Sequence, residues 1–391
     1  MENKSKLTIL EILIFFYLIL FPFGQIIRWD LFLGSLKFPV HPTDFIVGLV
    51  FLCTLAFALP KPKIFKLINN FLIVAFFSLI LSIFIFKSWS IVFGAMYLLR
   101  IYAYAFFFVA AWNVYQEERT KDRLFKILLA ISGIIAVFGW FQYFFYPDFR
   151  PLVEWGWDDH LYRLIGTFMD PAFTGIILVF GYILALTKYL FSKKKIFLLL
   201  VLFFVVTLAF TYSRAGYLAL AAGSMAVLLK MKKIRVLVPV FGLLLIIFLL
   251  PRPSGEGVKL ERVASIYARS TNYVETLKIA AHSPLFGVGF NNLCLARQKY
   301  LGSTSVYSHS CSGSDSSLLF VLATTGVVGL LIFLMAAYAV YIVLSKDLYG
   351  IAILGSFVAL AVHGFFSNSY FYPWVMGYVA LLSSLDIKEN S

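Results

Sequence analysis

Charged side chains are scarce in this chain of 391 residues, of which only 13% are Asp, Glu, Lys or Arg. Soluble domains carry about 25%. Together with 61% hydrophobic residues, this composition excludes an ordinary soluble domain. The chain also lacks the alternating segments of about 10 residues that are typical of a transmembrane β-barrel. It contains instead apolar runs of about 18 or more residues, each long enough to cross a bilayer core of about 30 Å as a helix.

Cysteine is also rare, with three residues in the whole chain. No Cys/His spacing resembles a metal site, so the sequence predicts no metal and no cofactor. Cys53 lies within an apolar run and is interpreted as a packing residue. Cys294 and Cys311 lie in one hydrophilic segment and would be able to form a disulfide if that segment faces an oxidising compartment. No cleavable signal is recognisable at the N-terminus, so the first apolar run is expected to remain as a span.

The apolar runs predict an all-α polytopic membrane protein with about 12 transmembrane helices. Residues 1–250 are expected to form helices 1–9, residues 251–314 one large extracytoplasmic loop with short helices, and residues 315–391 helices 10–12. The predicted spans are 7–27, 43–59, 65–86, 91–112, 124–146, 171–190, 196–211, 215–229, 236–250, 316–344, 349–366 and 371–385.

Positive charges between the spans indicate the orientation. Every second connection carries a cluster of Lys and Arg, as at 193–195 and 230–235, whereas the short connections between them hold few. Such clusters stay on the cytoplasmic side. Both termini are therefore predicted to be cytoplasmic, in a multi-pass protein of the cytoplasmic membrane. The net charge of +14 is explained by topology and does not indicate nucleic-acid binding.

Three arginines are expected on the outward face, near the membrane: Arg163, Arg214 and Arg269. Arginine suits a phosphate because its planar group donates several hydrogen bonds. An interfacial arginine that reaches lipid headgroups is an equally good interpretation of Arg214. Arg269 is expected near the N-terminus of a short helix over 268–281, where free backbone N–H groups would add to its charge. A solvated charge on an amphipathic helix is the simpler alternative there.

Two titratable groups precede the tenth predicted span, His309 and Asp315. Asp315 lies where water gives way to lipid, so burial is expected to raise its pKa toward the range of a general base. The alternative is a helix cap, since Ser314, Asp315 or Ser316 would each suit that role.

Four motifs then follow one another in a known order: 163–171 (RLIGTFMDP), 212–216 (YSRAG), 283–289 (SPLFGVG) and 318–329 (LLFVLATTGVVG). This order resembles the O-antigen ligase and polymerase superfamily of bacterial membrane glycosyltransferases. The resemblance implies transfer of a glycan from undecaprenyl pyrophosphate to an acceptor glycan or lipid, by an inverting and metal-independent reaction. It assigns the pyrophosphate to Arg214 and Arg269, with Arg163 as a weaker candidate.

The chain departs from that family at one position. The ligases of the family that this chain resembles typically carry a histidine 11 residues before the glycine that corresponds to Gly326. In this chain that position is Asp315. Asp315 is therefore the first candidate for the catalytic base and His309 the second. The difference leaves open whether the enzyme is a ligase or a repeat-unit polymerase. A transporter or flippase of a lipid-linked or anionic solute is the alternative from another class, although it would favour polar residues at mid-membrane.

Overall fold

The computed structural model describes residues 2–33, 36–86, 91–253, 255–302, 311 and 313–386. His309, one of the two candidate bases, lies outside these described residues. The described helices are α1 Glu2–Leu20, α2 Pro42–Ala56, α3 Phe65–Phe86, α4 Ile91–Val114, α5 Glu118–Phe145, α6 Pro171–Ser192, α7 Lys195–Ala209, α8 Arg214–Met231, α9 Val238–Leu249, α10 Ala264–His282, α11 Leu293–Leu301, α12 Ser317–Val343, α13 Leu348–His363 and α14 Pro373–Ser383.

A helix lies at each of the predicted spans, and α10 and α11 are the short helices of the 251–314 segment. Six helices are long and apolar enough to cross a membrane: Lys4–Phe23, Phe65–Phe86, Ile91–Val114, Glu118–Phe145, Pro171–Ser192 and Ser317–Val343. Five shorter apolar helices accompany them. A predominantly helical membrane protein is thus confirmed, while the count of 12 spans and the sidedness of the loop stay predictions.

The all-α prediction missed a small antiparallel hairpin between α1 and α2. Its strands are β1, Trp29–Leu33, and β2, Leu36–Val40, with Trp29 opposite Val40. The sequence signal was present, because Gly34 and Ser35 are turn residues between two short apolar segments. Arg100 of α4 donates to the Pro39 carbonyl of this hairpin.

Helix α6 forms the centre of the bundle. All of its residues from 174 to 187 are buried, and it contacts α5, α7, α8 and α13. Helices α8 and α13 approach each other closely because both carry glycine at the contact. A Cβ added to Gly223 would lie 2.9 Å from the Gly355 carbonyl oxygen. Small residues at such crossings let transmembrane helices pack backbone against backbone.

Helix α12 is interrupted at Gly326, whose φ of 70° and ψ of −171° are not helical. The 283–289 motif fills this break. Val327 donates its N–H to the Pro284 carbonyl over 2.8 Å, and Val288 donates to the Ala323 carbonyl over 2.9 Å. Two of the four motifs therefore dock on each other, and this contact fixes the end of α10 against α12.

Replacing Gly326 with alanine is expected to destabilise the fold by about 3 kcal/mol or more. The positive φ strains any L side chain, and the new Cβ would lie 2.2 Å from the Leu285 carbonyl oxygen. Thermal unfolding in detergent measures the effect. Gly133→Ala in α5 is the matched control, because nothing lies within 4 Å of its Cβ position. Equal melting temperatures for the two variants would show that the break is not required.

Candidate functional site

Helix α10 carries Arg269 and packs against α12 of the helical bundle. It begins at Ala264 and ends at His282, just before Pro284. The predicted start at residue 268 was therefore wrong, since residues 264–267 contain neither glycine nor proline and continue the helix upstream. Arg269 lies in the second turn, away from the free N–H groups of the first turn. Its chemical environment is therefore set by its side-chain neighbours.

One face of α10 holds the segment that leads into α12. Arg269, Asn272 and Thr276 are spaced so that they share this face. The Asn272 Oδ1 atom accepts the backbone N–H of Asp315 over 2.9 Å, and it also accepts the Ser314 hydroxyl over 3.2 Å. Thr276 Oγ1 lies 3.2 Å from the same Ser314 hydroxyl oxygen. The helix therefore positions Asp315 relative to Arg269.

Asp315 does not cap α12. Ser316 is the N-cap, and its hydroxyl accepts the Leu319 N–H over 3.4 Å. The Asp315 carboxylate makes no hydrogen bond or ion pair within the described ranges. Burial raises its pKa, and the positive charges of Arg269 and Arg297 act in the opposite direction. The predicted direction of the shift is confirmed, and the carboxylate is available to accept a proton.

Arg214 lies at the start of α8, behind the N-cap Ser213. Its guanidinium donates to the carbonyls of Leu260 and Arg262 over 3.2 and 3.1 Å, and to the Ser265 hydroxyl over 2.6 Å. These contacts tie α8 to the segment that leads into α10. Arg214 thus holds the loop in place while remaining only partly buried.

Arg262 belongs to the same group and was missed by sequence analysis. It donates to the carbonyls of Gly257 over 2.7 Å, Lys259 over 2.9 Å and Tyr212 over 3.4 Å. Burial, and then the charges of Arg214 and Arg269, lower its pKa. No local motif marks this residue beyond its presence in a basic segment.

Arg163 is buried against the turn that precedes Arg214. Its guanidinium donates to the carbonyls of Thr211 over 3.0 Å and Tyr212 over 3.3 Å. Burial, and then the charge of Arg262, lower its pKa to about 9. These contacts make Arg163 a positioning residue for the turn before Arg214, and direct contact with a donor stays a prediction.

We refer to Arg163, Arg214, Arg262 and Arg269 as the arginine cluster. No ion pair links any of the four to a carboxylate among the residues that the structure describes. Arg269 is distinct within the cluster because it makes no hydrogen bond in that part of the chain. Its charge acts on both Arg262 and Asp315. The unpaired positive charge of the cluster suits an anion, and binding of a pyrophosphate by Arg163, Arg214 and Arg269 stays a prediction.

The segment before Asp315 is held by α11 in addition to its contacts with Asn272 of α10. Cys294 of α11 and Cys311 form a disulfide, which resolves the pairing that the sequence left open. Arg297, also on α11, is buried and donates to the carbonyls of Cys311 and of Gly313, the latter over 2.9 Å. Both contacts hold the backbone that leads to Asp315.

Replacing Cys294 with serine is expected to lower the free energy of unfolding by about 3 kcal/mol, because the disulfide closes a loop with a sequence separation of 17. Chemical denaturation under oxidising conditions measures the loss. Cys53→Ala serves as the control, because Cys53 is a free thiol. Dithiothreitol should lower the wild-type stability to that of the variant. A difference that persists under reduction would assign the effect to packing instead.

Residues 198–334 match the family model described as O-Antigen ligase. The matched region contains Arg214, Arg262, Arg269 and Asp315, and it includes the docked motifs at 283–289 and 318–329. The resemblance to the O-antigen ligase superfamily is confirmed by this match. No curated protein matches the chain significantly.

Proposed function

We propose that this chain, whose residues 198–334 match the O-antigen ligase family model, transfers a glycan from undecaprenyl pyrophosphate to an acceptor hydroxyl. The observation that carries the proposal is the closeness of Arg269 to Asp315: Arg269 lies three residues before Asn272 in α10, and the Asn272 Oδ1 atom accepts the Asp315 N–H over 2.9 Å. The reaction takes place at the outer face of the cytoplasmic membrane, on the side opposite the Lys and Arg clusters. The acceptor is a glycan or a lipid, and no nucleic acid takes part.

The arginine cluster supplies the donor site. A pyrophosphate carries several negative charges and many acceptor oxygens, which arginine binds through paired N–H donors. Arg269 has all of its N–H groups available in the described structure, and Arg214 is only partly buried. Arg262 and Arg163 donate to backbone carbonyls and add charge at a short distance. Arg269 is therefore the principal donor contact and Arg214 the second.

Asp315 acts as the general base. Its carboxylate takes the proton of the acceptor hydroxyl while that oxygen forms a bond to the anomeric carbon. The bond from this carbon to the pyrophosphate oxygen breaks, and the electron pair leaves with undecaprenyl pyrophosphate. Attack opposite the leaving group inverts the anomeric configuration. Arg269 and Arg214 stabilise the charge that develops on the leaving oxygen.

An apolar groove of about 400 Å³ suits the hydrocarbon part of such a donor. It is lined by residues of α3, α4, α12, α13 and α14, and by Tyr370 and Phe371. Tyr370 donates its backbone N–H to the Ser317 hydroxyl at the start of α12. One end of the groove therefore lies near Asp315, so a polyprenyl chain in the groove would have its headgroup close to the arginine cluster.

Turnover in liposomes tests the proposal. The purified full chain is supplied with an undecaprenyl-pyrophosphate oligosaccharide, and mass spectrometry identifies the products. Longer lipid-linked chains from donor alone would establish a polymerase, whereas transfer only to an added second acceptor would establish a ligase. Either result supports glycan transfer. Donor that crosses the bilayer unchanged would contradict it and establish the transporter instead.

A further inference from the structure

A second group of polar side chains lies beside the arginine cluster. Asp158, His160 and Asp170 each place one ligand atom so that these atoms lie within 4.8 Å of one another. Two backbone contacts hold the loop that carries Asp158 and His160. Phe149 donates its N–H to the His160 carbonyl over 2.8 Å, and Asp148 forms a β-bridge with Leu161. Asp170 is the N-cap of α6, so the group joins a loop to the central helix.

His160 gives an independent indication of a ligand. Its side chain is only 6% exposed, and neither ring nitrogen has a hydrogen-bond partner among the described residues. The Asp159 backbone lies close enough to influence the ring, but it does not complete a hydrogen bond. A buried imidazole in a folded protein almost always has a partner. A cation held between this ring nitrogen and the two nearby carboxylates would supply such a partner.

Asp170 has a free oxygen for this purpose. Its Oδ1 atom accepts the N–H groups of Ala172 over 2.6 Å and Phe173 over 2.8 Å, whereas Oδ2 has no hydrogen bond within the part of the chain that the structure describes. Both capping bonds fix the orientation of the carboxylate at the start of α6. Oriented ligands of this kind are typical of metal sites, where outer hydrogen bonds hold the coordinating groups.

The surrounding charges permit a cation. Arg163 acts on His160 and Asp170, and Arg262 acts on His160. Both guanidinium groups donate to the Tyr212 backbone carbonyl. Two carboxylates oppose these charges. A divalent ion coordinated by both carboxylates would offset their mutual repulsion directly.

We infer that Asp158, His160 and Asp170 bind one divalent transition-metal ion, such as Zn²⁺ or Mn²⁺. The imidazole ligand favours these ions over Mg²⁺ and Ca²⁺, which prefer oxygen alone. The ion links the 147–170 loop to α6 and thereby holds Arg163 under the turn before Arg214. It takes no part in the bond-making step, so the inference does not depend on the proposed function. The sequence predicted no metal because these ligands lack a Cys/His spacing and converge only in the fold.

Metal binding by the full chain in detergent tests this inference. Protein treated with a chelator and desalted is titrated separately with ZnCl₂, MnCl₂ and MgCl₂ by calorimetry. We expect one Zn²⁺ or Mn²⁺ per chain, and weakening by at least about tenfold in Asp158→Asn and in His160→Ala. Because His160 is buried, its replacement also disturbs packing, so the exposed Asp158 provides the second test.

Asp159→Asn is the matched control, since it changes a neighbouring carboxylate outside the group. It should bind the ion as the wild type does. Absence of stoichiometric binding by the wild type would overturn the inference, and so would equal affinities of Asp158→Asn and Asp159→Asn. Binding of Mg²⁺ as tightly as Zn²⁺ and Mn²⁺ would overturn the choice of a transition metal.

Discussion

Asp315→Asn is expected to lower kcat for glycan transfer by about 10²–10⁴-fold, the usual contribution of general base catalysis. Asparagine keeps the size of the side chain and removes the proton acceptor. Because the Asn272 contact is to the backbone N–H of residue 315, the backbone position should be preserved. Single-turnover kinetics in liposomes separates this loss from donor affinity, which should change little.

The pH profile gives a second test of this assignment. A base acts only when deprotonated, so the rate should fall as the pH falls through the raised pKa of Asp315. Asp315→Asn should lose this acidic limb together with its activity. Asp347→Asn is the control, since Asp347 is also a residue beside a helix start but caps α13 through its side chain. If Asp315→Asn kept the wild-type rate, the base would have to be assigned to His309.

Arg269→Ala is expected to reduce kcat/KM by about 10²–10³-fold, as for the loss of one donor that stabilises a developing negative charge. The loss should exceed that of any other single arginine of the cluster, because Arg269 has no other hydrogen-bond partner in the described chain. Arg269→Lys should recover part of the activity, since it restores the charge without the paired donors.

A matched control distinguishes a specific donor contact of Arg269 from a general effect of positive charge in the 251–314 segment. Arg252 lies in the same segment, is exposed and forms an ion pair with Glu261. Arg252→Ala should therefore leave turnover unchanged. In addition, Arg269→Ala should shift the acidic limb of the remaining activity to higher pH, because Arg269 normally lowers the Asp315 pKa. Equal losses in the Arg252 and Arg269 variants would contradict a specific donor contact.

The helices were predictable because each requires only a local signal. Apolar runs of about 18 residues mark membrane helices, and Pro284 marked the end of α10 correctly. The choice of Asp315 as the first candidate base came from the family resemblance and its distance of 11 residues to Gly326, and that role stays a prediction. Apolar runs, a proline after a helix and the spacing between two residues are all local features of the sequence, so none of them requires knowledge of how the helices pack.

The remaining features depend on contacts between distant segments. Arg262 resembles any loop arginine until Tyr212 and Arg214 are seen beside it. Asn272 looks like an ordinary polar residue of an amphipathic helix, although it binds the backbone of Asp315. The start of α10 was misplaced because no capping residue marks it, and Val263 has no side-chain cap bond.

The most direct test of glycan transfer measures the leaving group. Wild-type protein and Asp315→Asn are reconstituted with an undecaprenyl-pyrophosphate oligosaccharide and an acceptor. Free undecaprenyl pyrophosphate is quantified beside new glycosidic bonds. The mechanism predicts one released undecaprenyl pyrophosphate per bond formed by the wild type, and almost none by the variant. New bonds without this release, or equal release by both proteins, would contradict the account.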